Sequence, residues 1–348
     1  LYNLKTAVQD MQAGRIRVAI VGSAEAPITP EIVEGFGNMG ALANEEGLKK
    51  LDGMDKADHR RTSRPFGNNC GFTIGEGAQF IVLMDDELVL ELGAKVLGSV
   101  PDVFINADGI KKSITAPGPG NYITMAKSVA LAKNILGDKA LKERSFILAH
   151  GSSTPQNRVT ESHIYHRIAE TFAIDAWPVV APKAFVGHTI GPASGDQMAM
   201  ALGVFAHNIM PGITTIDEVA ADVFDEHLHI ATKHWQCDAM DIAFINSKGF
   251  GGNNATATVL SPSVSLSMLA KRHGVKAMAD YNEKLINVEI AQKNYQESAD
   301  LGQFNIIYKF GEGLIDDSQL ELTADSINMP GFEHLIDLPK TNPFDDMC

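Results

Sequence analysis

The chain has 348 residues, 45% of them hydrophobic and 21% charged, a composition of a folded globular protein with room for one large domain or two. Its formal net charge of -14 argues against nucleic acid or an anionic membrane as the main partner, and no run of about 18 apolar residues offers a membrane span. Cys70, Cys237 and Cys348 are too few and too scattered for a disulfide framework or a zinc site, so no metal is expected and a reducing cytoplasm is the simplest compartment.

The first stretch, LYNLKTAVQDMQAG, has apolar residues at Leu1, Leu4, Val8 and Met11 and a helix stop at Gly14. It opens without a capping residue and already in helical phase, as if the chain starts inside a helix of a longer protein. RVAIVGSAEA then reads as a buried strand, ITPEIVEGFGNMGAL as helix and loop, and QFIVLMDD as a second strand. Arg60, Arg61 and Arg64 cluster, as do Lys271, Arg272 and Lys276, and both clusters read as solvated surface. A third strand lies in VLGSVPDVFIN, and the loop TAPGPGN precedes a helix over 122–136.

SFILAHG is a strand that delivers His150 at its end, followed by a helix over 160–172. PVVAPKAFVGH is strand and loop, with a helix rich in small residues over 192–207. DIAFINSKGFGGNNATATVLSP reads as two strands around a glycine-rich turn. Strands alternating with helices give an α/β class with mostly parallel pairing. From Ser263 the chain is a charged helical stretch and then a poorly periodic acidic tail, an appendage to the core. The expected divisions are 1–95, 96–262 and 263–348.

Three polar motifs fall at strand ends: HGSSTP (150–155), KAFVGH (183–188) and NSKGFGGNN (246–254). Ligands bind near strand ends in open α/β sheets, so the three are candidates for one pocket. Taken in order with RPFGNNCGFTIGEGA and VGSAEAPI, they resemble the β-ketoacyl synthases, condensing enzymes of the thiolase fold, over about residues 3–262. FINADGIKKSITAPGPGNY and HGSSTPQNRVTES further resemble a subgroup of bacterial 3-oxoacyl-ACP synthases with an N-terminal extension and a C-terminal appendage.

The resemblance implies a thiolase-like layered αβαβα fold, here the end of its first half and its complete second half, with an α-rich appendage. It implies condensation of a short acyl primer, such as acetyl-CoA, with malonyl-ACP through an acyl-cysteine. That cysteine would sit about four residues before Leu1, at a helix N-terminus that favours thiolate. None of the three cysteines in the chain matches this position, and each reads as a buried or incidental thiol. His150 and His188 would donate hydrogen bonds to the malonyl thioester oxygen. The Phe250 N–H would form half of an oxyanion hole, with its ring as a gate, on a path made possible by Gly249, Gly251 and Gly252.

Lys183 would pair with Glu161 and keep the histidines neutral. Ser152 and Thr154 would bond the phosphopantetheine arm. No cofactor is implied beyond the CoA and carrier thioesters. The implied partners are acyl carrier protein, the rest of the same protein and a second copy in a homodimer, and residues 1–348 by themselves would be inactive. Departures from the family pattern are Asn157 and Arg158 after HGSSTPQ, Pro192 and Ser194 in the small-residue run, and Lys248 where an aromatic is usual. A lysine there is unfavourable beside a long buried lipid chain, hence the expectation of a short primer. Rival readings are a catalytically silent partner subunit of chain-length-factor type, a degradative thiolase, which lacks its second cysteine here, and a serine hydrolase using Ser152 or Ser153, which lacks a nucleophile elbow.

Overall fold

The computed structural model describes residues 1–111, 118–303 and 306–347, so Cys348 and part of the TAPGPGN loop lie outside the described residues. The chain divides into two compact units, Leu1–Val288 and Glu289–Cys348. The larger begins with α1 (Tyr2–Gln12), β1 (Val18–Glu25), α2 (Pro30–Asn38), α3 (Glu45–Asp52), β2 (Gly77–Met84), α4 (Asp86–Leu92) and β3 (Ser99–Ala107). It continues through α5 (Gly120–Glu143), β4 (Ser145–Leu148), α6 (Pro155–Phe172), β5 (Trp177–Val180), α7 (Lys183–Val186) and α8 (Ala193–His207). The short strands β6 (Ile209–Met210), β7 (Leu228–His229) and β8 (Trp235–Gln236) precede β9 (Ile242–Gly249), β10 (Asn253–Leu260) and the long helix α9 (Pro262–Asp300).

A six-stranded sheet ordered β3-β10-β9-β4-β5-β7 lies at the centre. Its strands are hydrophobic on both faces. In β4 and β9, Ile147, Ile242 and Phe244 join one apolar cluster with Met125 and Val129 of α5 and Ile164 and Ile168 of α6. Their neighbours Phe146, Leu148, Ala243 and Ile245 face the other way, into a second cluster with Leu4 and Val8 of α1 and Met198 and Val204 of α8. The two-residue alternation of a strand therefore builds two cores at once. Each fully buried side chain of this size contributes about 1.5–3 kcal/mol.

Beyond α1 and α8 lies a two-stranded β1–β2 sheet, whose Val21, Ile81 and Leu83 pack on the second cluster. Ile20, Phe80 and Val82 point outward.

The expected strands and helices are present, but the pairing is mixed rather than mostly parallel. β4, β5, β7 and β9 run parallel, whereas β10 is antiparallel to both β9 and β3 and β1 to β2. The short glycine turn between β9 and β10 leaves no length for a crossover, so those strands must fold back on each other. α5 is broken at Gly137 (φ 83°), where the helix was expected to stop.

Arg64 corrects the reading of its cluster as solvated surface. It is 4% exposed and grips Asp52 with two bonds of 2.7 Å, so pairing makes its burial tolerable.

The boundary between the two compact units falls inside α9, between Val288 and Glu289. Tyr281 is buried in the larger unit with its hydroxyl donating to the Ala94 carbonyl at 3.0 Å, and Arg272 pairs with Asp86 at 2.7 Å. After Asp300 the smaller unit forms a three-stranded sheet of β11 (Glu321–Leu322), β12 (Ser326–Asn328) and β13 (Ile336–Asp337).

Candidate active site

β4, β5 and β9 are parallel and adjacent, so the motifs that follow them emerge on one edge of the sheet. His150 follows β4 in a loop that turns sharply through Gly151 (φ 51°) and Ser153 (φ 63°). Lys183 opens α7 after β5, and His188 follows Gly187 (φ 69°). Gln197 of α8 ties the strand ends together. Its side-chain amide donates to the carbonyls of Leu148 at 2.9 Å, Ala149 at 2.8 Å and Asn246 at 2.8 Å, and its carbonyl accepts from Ser247 at 2.8 Å.

The two histidines meet edge to face, ring centroids 5.3 Å apart. His188 is held through its backbone by the 73–75 segment: its N–H donates to Thr73 O at 2.7 Å and its carbonyl accepts from Gly75 N at 2.9 Å. Its Nδ1 accepts the Ile190 N–H at 3.1 Å. His150 Nδ1 faces the Lys183 ammonium at 3.5 Å, which also donates to the His150 carbonyl at 2.5 Å. Each Nδ1 therefore faces a donor and serves as acceptor, so the proton of each neutral ring sits on Nε2.

Burial holds His150 well below the ordinary imidazole range, and the charges of Lys183, His188 and Lys248 push the same way. Burial also lowers His188, with Lys183 adding to it. Lys183 itself, 3% exposed, is brought by burial to about 8, with Glu161 and Asp196 holding it up. At neutral pH the pair is two uncharged N–H donors beside one ammonium, a constellation that receives negative charge developing on an oxygen.

Lys183 and Glu161 do not form the direct pair expected. Glu161 is fully buried, and its oxygens accept from His150 N at 2.6 Å, Gly151 N at 2.8 Å, Asn157 Nδ2 at 2.7 Å and the Tyr165 hydroxyl at 2.5 Å. With its acceptor sites so occupied, Glu161 acts on the His150 backbone from one side while Lys183 acts from the other. It is a positioning residue. Asn157, a departure in sequence, thus has a place: it donates to Glu161, and its oxygen takes Lys248 Nζ at 3.4 Å.

Phe250 stands at the β9–β10 turn, 56% exposed. Its ring stacks on Phe36 at 5.8 Å, Phe36 meets Phe72 edge-on at 5.2 Å, and Phe72 lies 5.4 Å from His188. An aromatic file therefore links the glycine turn to the histidines. Gly251 (φ 83°) and Gly252 (φ 92°) take left-handed backbone, and a Cβ on Gly252 would come within 2.6 Å of Asp108. Asp108 supports the turn by donating its N–H to Gly252 O at 2.8 Å and accepting from Asn254 Nδ2 at 2.8 Å.

Ser152 and Thr154 hydroxyls lie 3.2 Å apart beside His150. The Ser153 hydroxyl accepts the Arg64 N–H at 2.7 Å. Among the described residues no hydrogen bond joins a serine hydroxyl to His150. Cys70 and Cys237 are half-buried, and burial raises the Cys237 thiol. The Leu1 nitrogen lies 3.4 Å from Ser194 Oγ, itself 3.1 Å from Ser247 Oγ, so the start of α1 abuts the end of β9.

Tyr165, Gln197 and Asp108 were not singled out in the sequence. Tyr165 had a signal, since it stands four residues after Glu161 on one helix face. No helix among the described residues is long and apolar enough to cross a membrane.

Comparison with known proteins matches residues 1–88 to the β-ketoacyl synthase N-terminal domain and 97–217 to the β-ketoacyl synthase C-terminal domain. The whole chain is 53% identical to the β-ketoacyl-[acyl-carrier-protein] synthase FabY of Pseudomonas aeruginosa, covering 55% of that protein. It is 30% identical over 261 residues, 71% of this chain and 55% of the relative, to 3-oxoacyl-[acyl-carrier-protein] synthase 2 of Synechocystis. The crystal structure of the noncanonical ketosynthase FabY from P. aeruginosa superposes with a TM-score of 0.93 at 52% identity, covering 100% of this chain and 55% of that one.

The chain thus spans about half the length of the curated relatives it matches, and its layers are those of the thiolase-like ketosynthases. With both domain models matched in order and the paired histidines behind them, the chain belongs to the β-ketoacyl synthase family of condensing enzymes.

Proposed function

We propose that this chain carries the decarboxylation and condensation groups of a 3-oxoacyl-ACP synthase of fatty-acid synthesis. The observation that carries the reading is the His150–His188 pair, each ring with Nδ1 facing a donor and Nε2–H left to face a substrate oxygen. A malonyl thioester oxygen placed between them takes two hydrogen bonds. As the bond to the carboxylate breaks, carbon dioxide leaves and its electron pair flows into an enolate whose oxygen those bonds stabilise.

The enolate carbon then attacks the acyl-enzyme carbonyl, and the cysteine thiolate leaves with the electrons of the broken C–S bond. The Phe250 N–H is assigned to the oxyanion of that tetrahedral intermediate. The acceptor is proposed to be a cysteine about four residues ahead of Leu1, where a helix N-terminus favours thiolate. On this reading residues 1–348 alone turn over no substrate.

Ser152 and Thr154 are assigned to the pantetheine arm. Acyl carrier protein is the partner, as the names of the relatives suggest. A cytoplasmic homodimer that uses no cofactor beyond its thioester substrates completes the proposal. Lys248, half-buried and with its charged form disfavoured by burial, supports a short primer such as acetyl-CoA, since an alkyl chain alongside it would strip further water from the ammonium.

The test is malonyl-thioester decarboxylation by the full-length protein. His150→Ala and His188→Ala are each expected to lower the rate at least about 100-fold. An unchanged rate in both variants overturns the assignment, and a wild type that neither decarboxylates nor condenses points to a silent partner subunit. Acetyl-, hexanoyl- and decanoyl-thioesters compared as primers test the chain length, and fastest turnover with decanoyl would sink the short-primer reading.

A further inference from the structure

Away from the catalytic edge, α6 and the chain entering β7 bring together His166, Glu226 and His227. One ligand atom from each lies within 4.8 Å of the other two, and the two imidazoles stack with centroids 5.1 Å apart and planes 23° apart. His166 Nδ1 is shielded from solvent and has no hydrogen-bond partner among the described residues, an unsatisfied nitrogen that calls for a physical account. His227 Nδ1 lies 3.5 Å from Asp175 Oδ1. A carboxylate at one imidazole nitrogen orients the ring and enriches the other nitrogen as a metal ligand.

The backbone under these groups is fixed. His227 O accepts the N–H of the buried Trp177 at 2.8 Å, and His166 sits within the 18-residue helix α6. Phe224, 6.2 Å from the His166 ring and 4.8 Å from that of His163, supplies an apolar wall.

We propose that His166, His227 and Glu226 form a site for one zinc-like divalent transition metal, with a fourth position open to water. Two imidazoles and one carboxylate suit such an ion better than calcium or magnesium, which prefer oxygen donors. Ligand bonds of about 2.0–2.2 Å require the three groups to draw in by about 1 Å, within reach of small side-chain rotations. The cysteine count and spacing predict no metal site. Here the ligands are histidines about 60 residues apart in the chain, a spacing no short motif describes. The ion ties α6 to the edge of the sheet. Glu161 lies on the same helix, about 140° further round, so the metal braces the helix that positions His150.

The test uses the full-length protein stripped with a chelator, titrated with zinc alone by calorimetry and with cobalt alone by visible absorption. One ion per chain with a four-coordinate cobalt spectrum is expected. H166Q/H227Q should abolish binding, E226Q should weaken it at least tenfold, and D175N should weaken it about 10- to 100-fold. Zinc should raise the melting temperature of the wild type and not of H166Q/H227Q. Glu226 is exposed, so E226Q reports on binding without unfolding the chain. Absence of binding in the wild type, or binding undiminished in both E226Q and H166Q/H227Q, overturns the proposal.

Discussion

Replacing Lys183 with methionine separates what the ammonium does for stability from what it does for chemistry. The fall of its pKa from 10.5 to about 8, caused first by burial, corresponds to about 3 kcal/mol spent keeping it charged. Against that stand its charge-assisted bond to the His150 carbonyl, about 1.5–3 kcal/mol, and its contact with Nδ1. Methionine removes both sides of this balance while filling similar volume, so K183M should unfold within about 1–2 kcal/mol of wild type.

The chemistry should not survive as well. Without the ammonium, His150 Nδ1 loses its donor and the ring is free to move its proton from Nε2 to Nδ1, with an expected fall in decarboxylation of about 100-fold. Lys183 also lowers the pKa of both histidines, so its loss raises them and the acid limb of the rate profile moves to higher pH. In the wild type the alkaline side should change near pH 8 as Lys183 deprotonates. Stability has its own sign there. The unfolded lysine keeps its proton to about 10.5, so wild-type stability rises between about pH 8 and 10.5 as the cost of the buried charge is relieved, and K183M lacks that rise. Rate and denaturation profiles of the two full-length proteins across pH would decide it. A variant with wild-type rate and an unmoved acid limb refutes the assignment of Lys183 as the group that sets the His150 tautomer.

Glu161→Gln puts an amide donor against the backbone N–H groups of His150 and Gly151 and should cost about 2–3 kcal/mol in chemical denaturation while lowering the rate. Wild-type stability in that variant would show that the carboxylate is not what holds the loop. Gly252→Ala forces left-handed backbone on alanine and a Cβ 2.6 Å from Asp108 Oδ2. It should destabilise by about 1–3 kcal/mol and slow acyl transfer more than malonyl decarboxylation; equal loss in both steps argues against an oxyanion role for the turn.

The elements of the core were legible because their signals are local. Alternating apolar runs such as SFILA and DIAFI must bury both faces, and Gly14 and Gly137 stop helices by their own backbone freedom. Pairing direction was less accessible, because the antiparallel placement of β10 between β9 and β3 depends on which strands become neighbours. The site residues were found as motifs, but their partners were not. Lys183 and Glu161 looked like a pair, yet each instead grips a different side of His150.

By itself the sequence determined the α/β class, the family resemblance and the histidine, lysine and glycine-turn motifs, since each is written in a short contiguous run. The tertiary structure alone decided that Nδ1 of each histidine is an acceptor, that Arg64 is buried against Asp52, and that His166 meets His227. Hydrogen-bond direction, burial and close approach are properties of residues brought together from distant parts of the chain. The same lysine or histidine has a different charge and a different role according to what folding places within about 4 Å of it.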